Sequence, residues 1–124
     1  VDRLQNARHG DALLDALVDD GLHALAPRLR AHGLGRLPAS GAARWSDDLA
    51  APISLLTMAY NFSVGQRDGV RWAWIQPNDD WRPKPFEARH DHPRGSGLIV
   101  AYTAPLALTA AALILCTRPA PPML

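Results

Sequence analysis

The chain has 124 residues, 48% of them hydrophobic and 20% charged, a composition that fits a folded globule and argues against intrinsic disorder. That length suits one domain, residues 1–124, with a single core that needs no staples. Net charge is +1, split between residues 1–62 (six Arg, seven Asp) and 63–124 (six Arg and one Lys, four Asp and one Glu), so neither half is basic enough for a nucleic-acid footprint.

Twelve of the thirteen basic residues are Arg, and Ala, Gly and Pro abound, which suggests GC-rich coding and a bacterial source. Cys116 is the single cysteine, so an intrachain disulfide and a multi-cysteine zinc cage are both excluded. It sits in an apolar run, where cysteine behaves as a small buried hydrophobe and a poor nucleophile. The N-terminal residues are too polar for a signal peptide. The chain opens at Val1, as expected of a processed product, a fragment or an alternative start.

Leu14, Leu17, Val18, Leu22, Leu25 and Leu29 recur at three- and four-residue spacing and predict an amphipathic helix over 11–32. Asp11 is its N-cap, and Asp15, Asp19, Asp20 and Arg28 fall largely on the opposite face. Gly21 weakens the interior by about 1 kcal/mol relative to Ala. Pro27 either kinks the helix or starts a new short one. Residues 33–44 read as a connector. A second amphipathic helix is expected over 46–64, with Ser46 as N-cap, Asp47 and Asp48 in its first turn, and Pro52 as an alternative start. Gly65 would close it. In "GVRWAWIQ" the period changes, and Val70, Trp72 and Trp74 alternate as on a strand over 69–76.

Residues 98–116, "LIVAYTAPLALTAAALILC", form a nineteen-residue uncharged run. As one helix they would cover roughly 28 Å, close to a bilayer core, so one alternative is a mainly α chain with a transmembrane helix at 98–116. The favoured reading splits the run at Pro105, because the residue before a proline is pushed toward extended geometry. "LIVAYTA" then forms a buried strand at 98–104, and the Ala- and Leu-rich remainder forms an apolar helix over 105–117. The expected fold is therefore α+β: two N-terminal helices, a small sheet from 69–76 and 98–104, and a C-terminal helix.

The polar stretch 77–97 holds the candidate binding residues. Trp81, Arg82, Lys84 and Phe86, stiffened by Pro83 and Pro85, suit contact with a protein partner or a turn covering the core edge. Near-neutral charge makes nucleic acid a poor match for them. His90 and His92 have the spacing of two ligands on one strand face, with Glu87 and Asp91 as possible oxygen donors. Two imidazoles do not define a zinc site, and a solvated polar loop is the favoured reading. His9, His23 and His32 read as surface or helix-cap residues. No nucleophile elbow or phosphate loop is present, and "GSG" at 95–97 lacks the flanking elements an elbow needs.

These features favour a small non-enzymatic, cytoplasmic protein-interaction or regulatory module with no cofactor and another protein as partner. The alternatives are a membrane-anchored protein held by 98–116, and a metal-binding protein or metal-dependent hydrolase using His90 and His92.

Overall fold

In the computed structural model, which describes residues 1–57, 59–77 and 95–118, the amphipathic pattern of 11–32 becomes two helices. A single turn that the sequence did not suggest, α1 (Asp2–Asn6), precedes them. Next come α2 (Ala12–Ala24) and α3 (Ala26–Ala31). Asp11 caps α2 as expected, its carboxylate accepting from the Leu14 amide. Pro27 stands in the first turn of α3, where its missing donor breaks no bond. Leu14, Val18, Leu22 and Leu29 enter the core. Two assignments of the pattern are corrected. Leu17 is 41% exposed rather than packed inward, and Asp19 is buried at 3% rather than solvated.

The helix expected over 46–64 is not formed. Of the described residues there only α4 (Ala50–Leu55) is helical; its N-cap is Leu49, not Ser46, and it has no side-chain cap, although Asp48 accepts from the Ala50 amide. Pro52 lies inside this one turn and is buried. Leu56 is already extended. Tyr60–Arg67 is a strand, β1, antiparallel to β2 (Val70–Pro77). The spacing of Leu56, Tyr60 and Val64 imitates a helix face. The decisive local feature is Asp68–Gly69, both at positive φ, which makes the two-residue turn that matches strand twist. Arg67 pairs with Val70 across it, and the ladder runs back to Tyr60 opposite Pro77.

β2 is the central strand of a three-stranded antiparallel sheet, β1-β2-β3, with β3 at Ile99–Ala101, inside the expected 98–104. Beyond the ladder, Ser96 extends the pairing: its amide donates to the Ile75 carbonyl at 2.8 Å, and its hydroxyl accepts from the Ile75 amide at 2.9 Å. The glycine-serine turn thus has a structural task.

The apolar run is not one helix. β3 ends, Thr103 caps the next element by accepting from the Leu106 amide, and α5 (Ala104–Thr117) follows with Pro105 in its first turn. Its fourteen residues span about 21 Å, and no helix among the described residues is long and apolar enough to cross a membrane. The transmembrane alternative at 98–116, and with it the membrane contact proposed through that run, is therefore corrected. The run is apolar because α5 is buried nearly all round, against the Ala73–Ile75 face of β2 on one side and the N-terminal helices on the other. The buried side chains join in one core.

Gly65 faces Trp72 across the β1–β2 pair, and a Cβ added there would collide with the indole. Trp72 in turn stacks on Trp74, with centroids 4.8 Å apart and planes 10° from parallel. The aromatic ring covers the bare backbone of a strand glycine, which otherwise weakens a sheet. Gly65→Ala should displace Trp72 and lower stability by about 1–3 kcal/mol, the range for overpacking. Chemical denaturation reads the loss, and far-UV circular dichroism reads the disappearance of the coupled-indole signal.

Candidate functional site

A polar constellation on α2 starts from the helical period. Asp11, Asp15 and Asp19 stand four residues apart on α2 and so share one face. That face is turned to the loop 40–46, and burial deepens along it, from exposed Asp11 through half-buried Asp15 to buried Asp19. Ser46, fully buried, donates from its amide to Asp15 at 2.8 Å and from its hydroxyl to the same oxygen at 2.6 Å. The Ser46 hydroxyl also accepts from the Asp11 amide at 3.1 Å. Asp19 accepts from the Ser40 hydroxyl, the Gly41 amide and the Trp45 indole, at 2.9, 3.1 and 3.3 Å. His23 Nε2 lies 3.6 Å from the same carboxylate.

Serine, histidine and aspartate therefore meet at one place, but in the wrong order for nucleophilic catalysis. A triad needs the imidazole between hydroxyl and carboxylate, so that it can take the hydroxyl proton. Here the carboxylate is in the middle, and Ser40 gives its hydrogen bond to Asp19. Burial pushes the Asp19 carboxyl upward, but hydrogen bonds from Trp45, Ser40 and Gly41, with the nearby His23, outweigh it and hold the group below its ordinary value of 3.8. This is the signature of a carboxylate held ionised as an acceptor. Trp45, wholly buried, carries the link onward: its carbonyl accepts from the Thr109 hydroxyl of α5 at 2.7 Å.

Cys116 is fully buried, and burial pushes its thiol up to about 11, against a smaller lowering from Arg28. It has the character of a core side chain. His32 is a cap, as expected, but a buried one. Its Nε2 donates to the Arg118 carbonyl at 3.0 Å and its own carbonyl accepts from the Tyr60 hydroxyl, so it ties α3 to β1 and to the end of α5. His9 and His23 are exposed.

The surface with binding character lies at the β3 edge. Gln5 of α1 donates from Nε2 to the Val100 carbonyl at 3.2 Å and so takes the place of a strand partner. Beside it is a hollow of about 280 Å³ lined by Gln5, Asn6, Gly69, Val70, Val100 and Tyr102, with Ala101. Val70, Val100 and Tyr102 are 42%, 41% and 52% exposed, and Leu98 is exposed next to them. Arg8 stands over the Tyr102 ring, 5.5 Å from its centroid. Period-two alternation forces this outcome: the opposite face of β2 and β3 carries Ala73, Ile75, Ile99 and Ala101 into the core, so Val70 and Val100 point away from it.

Trp81, Arg82, Lys84 and Phe86, the partner-binding candidates, and His90 and His92, the metal candidates, lie outside the described residues. Among the described residues no group of three or more His, Cys, Asp or Glu side chains is placed to hold a metal ion. The exposed edge was missed because Val70, Val100 and Tyr102 read equally well as core; only pairing register tells the two faces apart. Comparison with family models, with curated proteins and with solved structures found no match.

Asp19→Ala should cost about 2 kcal/mol or more at neutral pH, because it strands the buried Trp45 indole donor. The sign with pH follows from the lowered pKa. The stabilisation is fully present above the ordinary carboxylate range and is lost as pH falls through the depressed value. Urea midpoints measured at neutral pH and in acid should therefore converge for wild type and Asp19→Asn as the pH drops. Cys116 should resist iodoacetamide at pH 8 in the folded state and be labelled rapidly in urea, as read by mass spectrometry.

Proposed function

We propose that the protein is a non-catalytic interaction module whose contact surface is the β3 edge. The carrying observation is the grouping of Val70, Val100 and Tyr102, each more than 40% exposed, around a shallow hollow. Isolated exposed apolar side chains are ordinary, whereas a contiguous group rimmed by polar residues is the usual mark of an interaction site. Gln5, Asn6 and Arg8 supply such a rim. Tyrosine and arginine are also among the residue types enriched at binding hot spots.

The complementary partner is a protein segment that places an apolar side chain in the hollow and a carboxylate against Arg8. A role in binding rather than chemistry is further supported by the polar cluster on α2, whose donors and acceptors are engaged in holding the loop 40–46. The metal-dependent alternative rests on His90 and His92 alone, and no observation on the described residues adds to it.

A photo-crosslinking amino acid at Tyr102, with Asp20 on α2 as the control position, tests this in cells of the source organism. A discrete product from position 102 that is absent from position 20, and that Val100→Glu removes in a folded protein, is the expected result. A product of twice the 13.5 kDa chain mass would make the partner a second copy. Equal labelling from both positions, or none from 102, would rule out the edge as the contact surface.

A further inference from the structure

A second concavity, of about 470 Å³, lies between α1, α2 and α5, away from the β3 edge. Leu4, Leu14, Val18 and Leu113 line it with apolar side chains, and Leu17 and Leu25 border it. Its single charged side chain is Arg3, which is exposed and makes no ion pair or hydrogen bond among the described residues. We infer that this groove is a binding site for an unbranched aliphatic carboxylate, its chain along the leucines and its head group on Arg3.

Three observations carry this independently of the β3 edge. The first is size and chemistry: a mostly apolar cleft within the range of small-molecule sites, with Arg3 as its one charged side chain and Thr117 as a second polar one. Charge complementarity is the second. A guanidinium beside an otherwise apolar surface selects an anionic head group, and it holds a carboxylate with two parallel hydrogen bonds. The third is Gly21. A glycine inside a helix costs about 1 kcal/mol relative to Ala. Nothing lies within 4 Å of where a Cβ at Gly21 would stand. Gly21 instead lines the groove, in line with Leu13 and Leu17 at four-residue spacing, and its missing side chain keeps that stretch open.

Titration of the full chain with dodecanoate and with dodecanol, followed by calorimetry and by displacement of a fluorescent fatty acid, tests the assignment. The expected result is saturable one-to-one binding of the acid, weakened about tenfold by Arg3→Gln, with the weaker alcohol unaffected by that change. Gly21→Leu should abolish both, while Gly21→Ala, which leaves most of the groove open, should keep binding and raise the urea midpoint. Circular dichroism and urea unfolding show whether Gly21→Leu is folded; if it is not, Leu17→Glu, at an exposed position on the groove's border, serves as the blocking change. No binding of the acid, equal binding of alcohol and acid, or binding indifferent to the blocking change overturns the inference. Self-association that the blocking change removes, without acid binding, would make the groove an interface between copies and overturn it as well.

Discussion

Two carboxylates one turn apart on α2 hold this fold together. Asp15 and Asp19 accept from a loop that begins more than twenty residues later, while the Asp11 backbone amide donates to the Ser46 hydroxyl, and that loop carries Trp45 into the centre. Without them the connector between α3 and α4 would have to order itself with few regular backbone bonds, at a conformational cost of roughly 1–2 kcal/mol per residue. With them, Ser46 and Trp45 become fixed points, and the Trp45 carbonyl receives the Thr109 hydroxyl from the middle of α5. α5 is apolar on every side and cannot find its own rotation by amphipathicity. A single buried hydroxyl with one acceptor provides that register, because leaving it unpaired would cost about 1–3 kcal/mol.

Local sequence signals were read correctly where local chemistry decides. The period of Leu14, Val18 and Leu22 marks α2, Asp11 its start, and Pro27 the break before α3. The Ala104–Pro105 boundary divides strand from helix in the uncharged run because proline restricts the residue before it, whatever the surroundings. β1 was lost because two periods compete over 56–64. Apolar residues four apart suggest a helix, while Tyr60, Phe62 and Val64 alternate with Asn61, Ser63 and Gly65. The turn at Asp68–Gly69 breaks the tie, since it can close only an antiparallel pair of the observed register. Asp15 and Asp19 were lost for a different reason. An aspartate on a helix is solvated by default, and nothing near Asp19 in the chain reveals that Ser40, Gly41 and Trp45 will surround it.

The candidate surfaces were less legible than the core. Burial is a property of a face, and a face is defined only when strands have paired. Val100 looks like Ile99 and Ala101 in composition, yet one-residue alternation puts it on the far side of the sheet from α5. Leu17 looks like Leu14 and Val18 in the same way, but it lies at the edge of the helical stripe, over the groove rather than in the core.

Both candidate surfaces depend on α1. Five residues make one helical turn, which is too short to be stable by its own hydrogen bonds. Its position therefore comes from what it touches: Leu4 is buried against the core, and Gln5 is bonded to Val100. The division of labour along this turn is sharp. Arg3 and Leu4 line the helical groove, whereas Gln5 and Asn6 line the hollow at the β3 edge. Any displacement of α1 must alter both surfaces at once, because successive residues of a single turn cannot move independently.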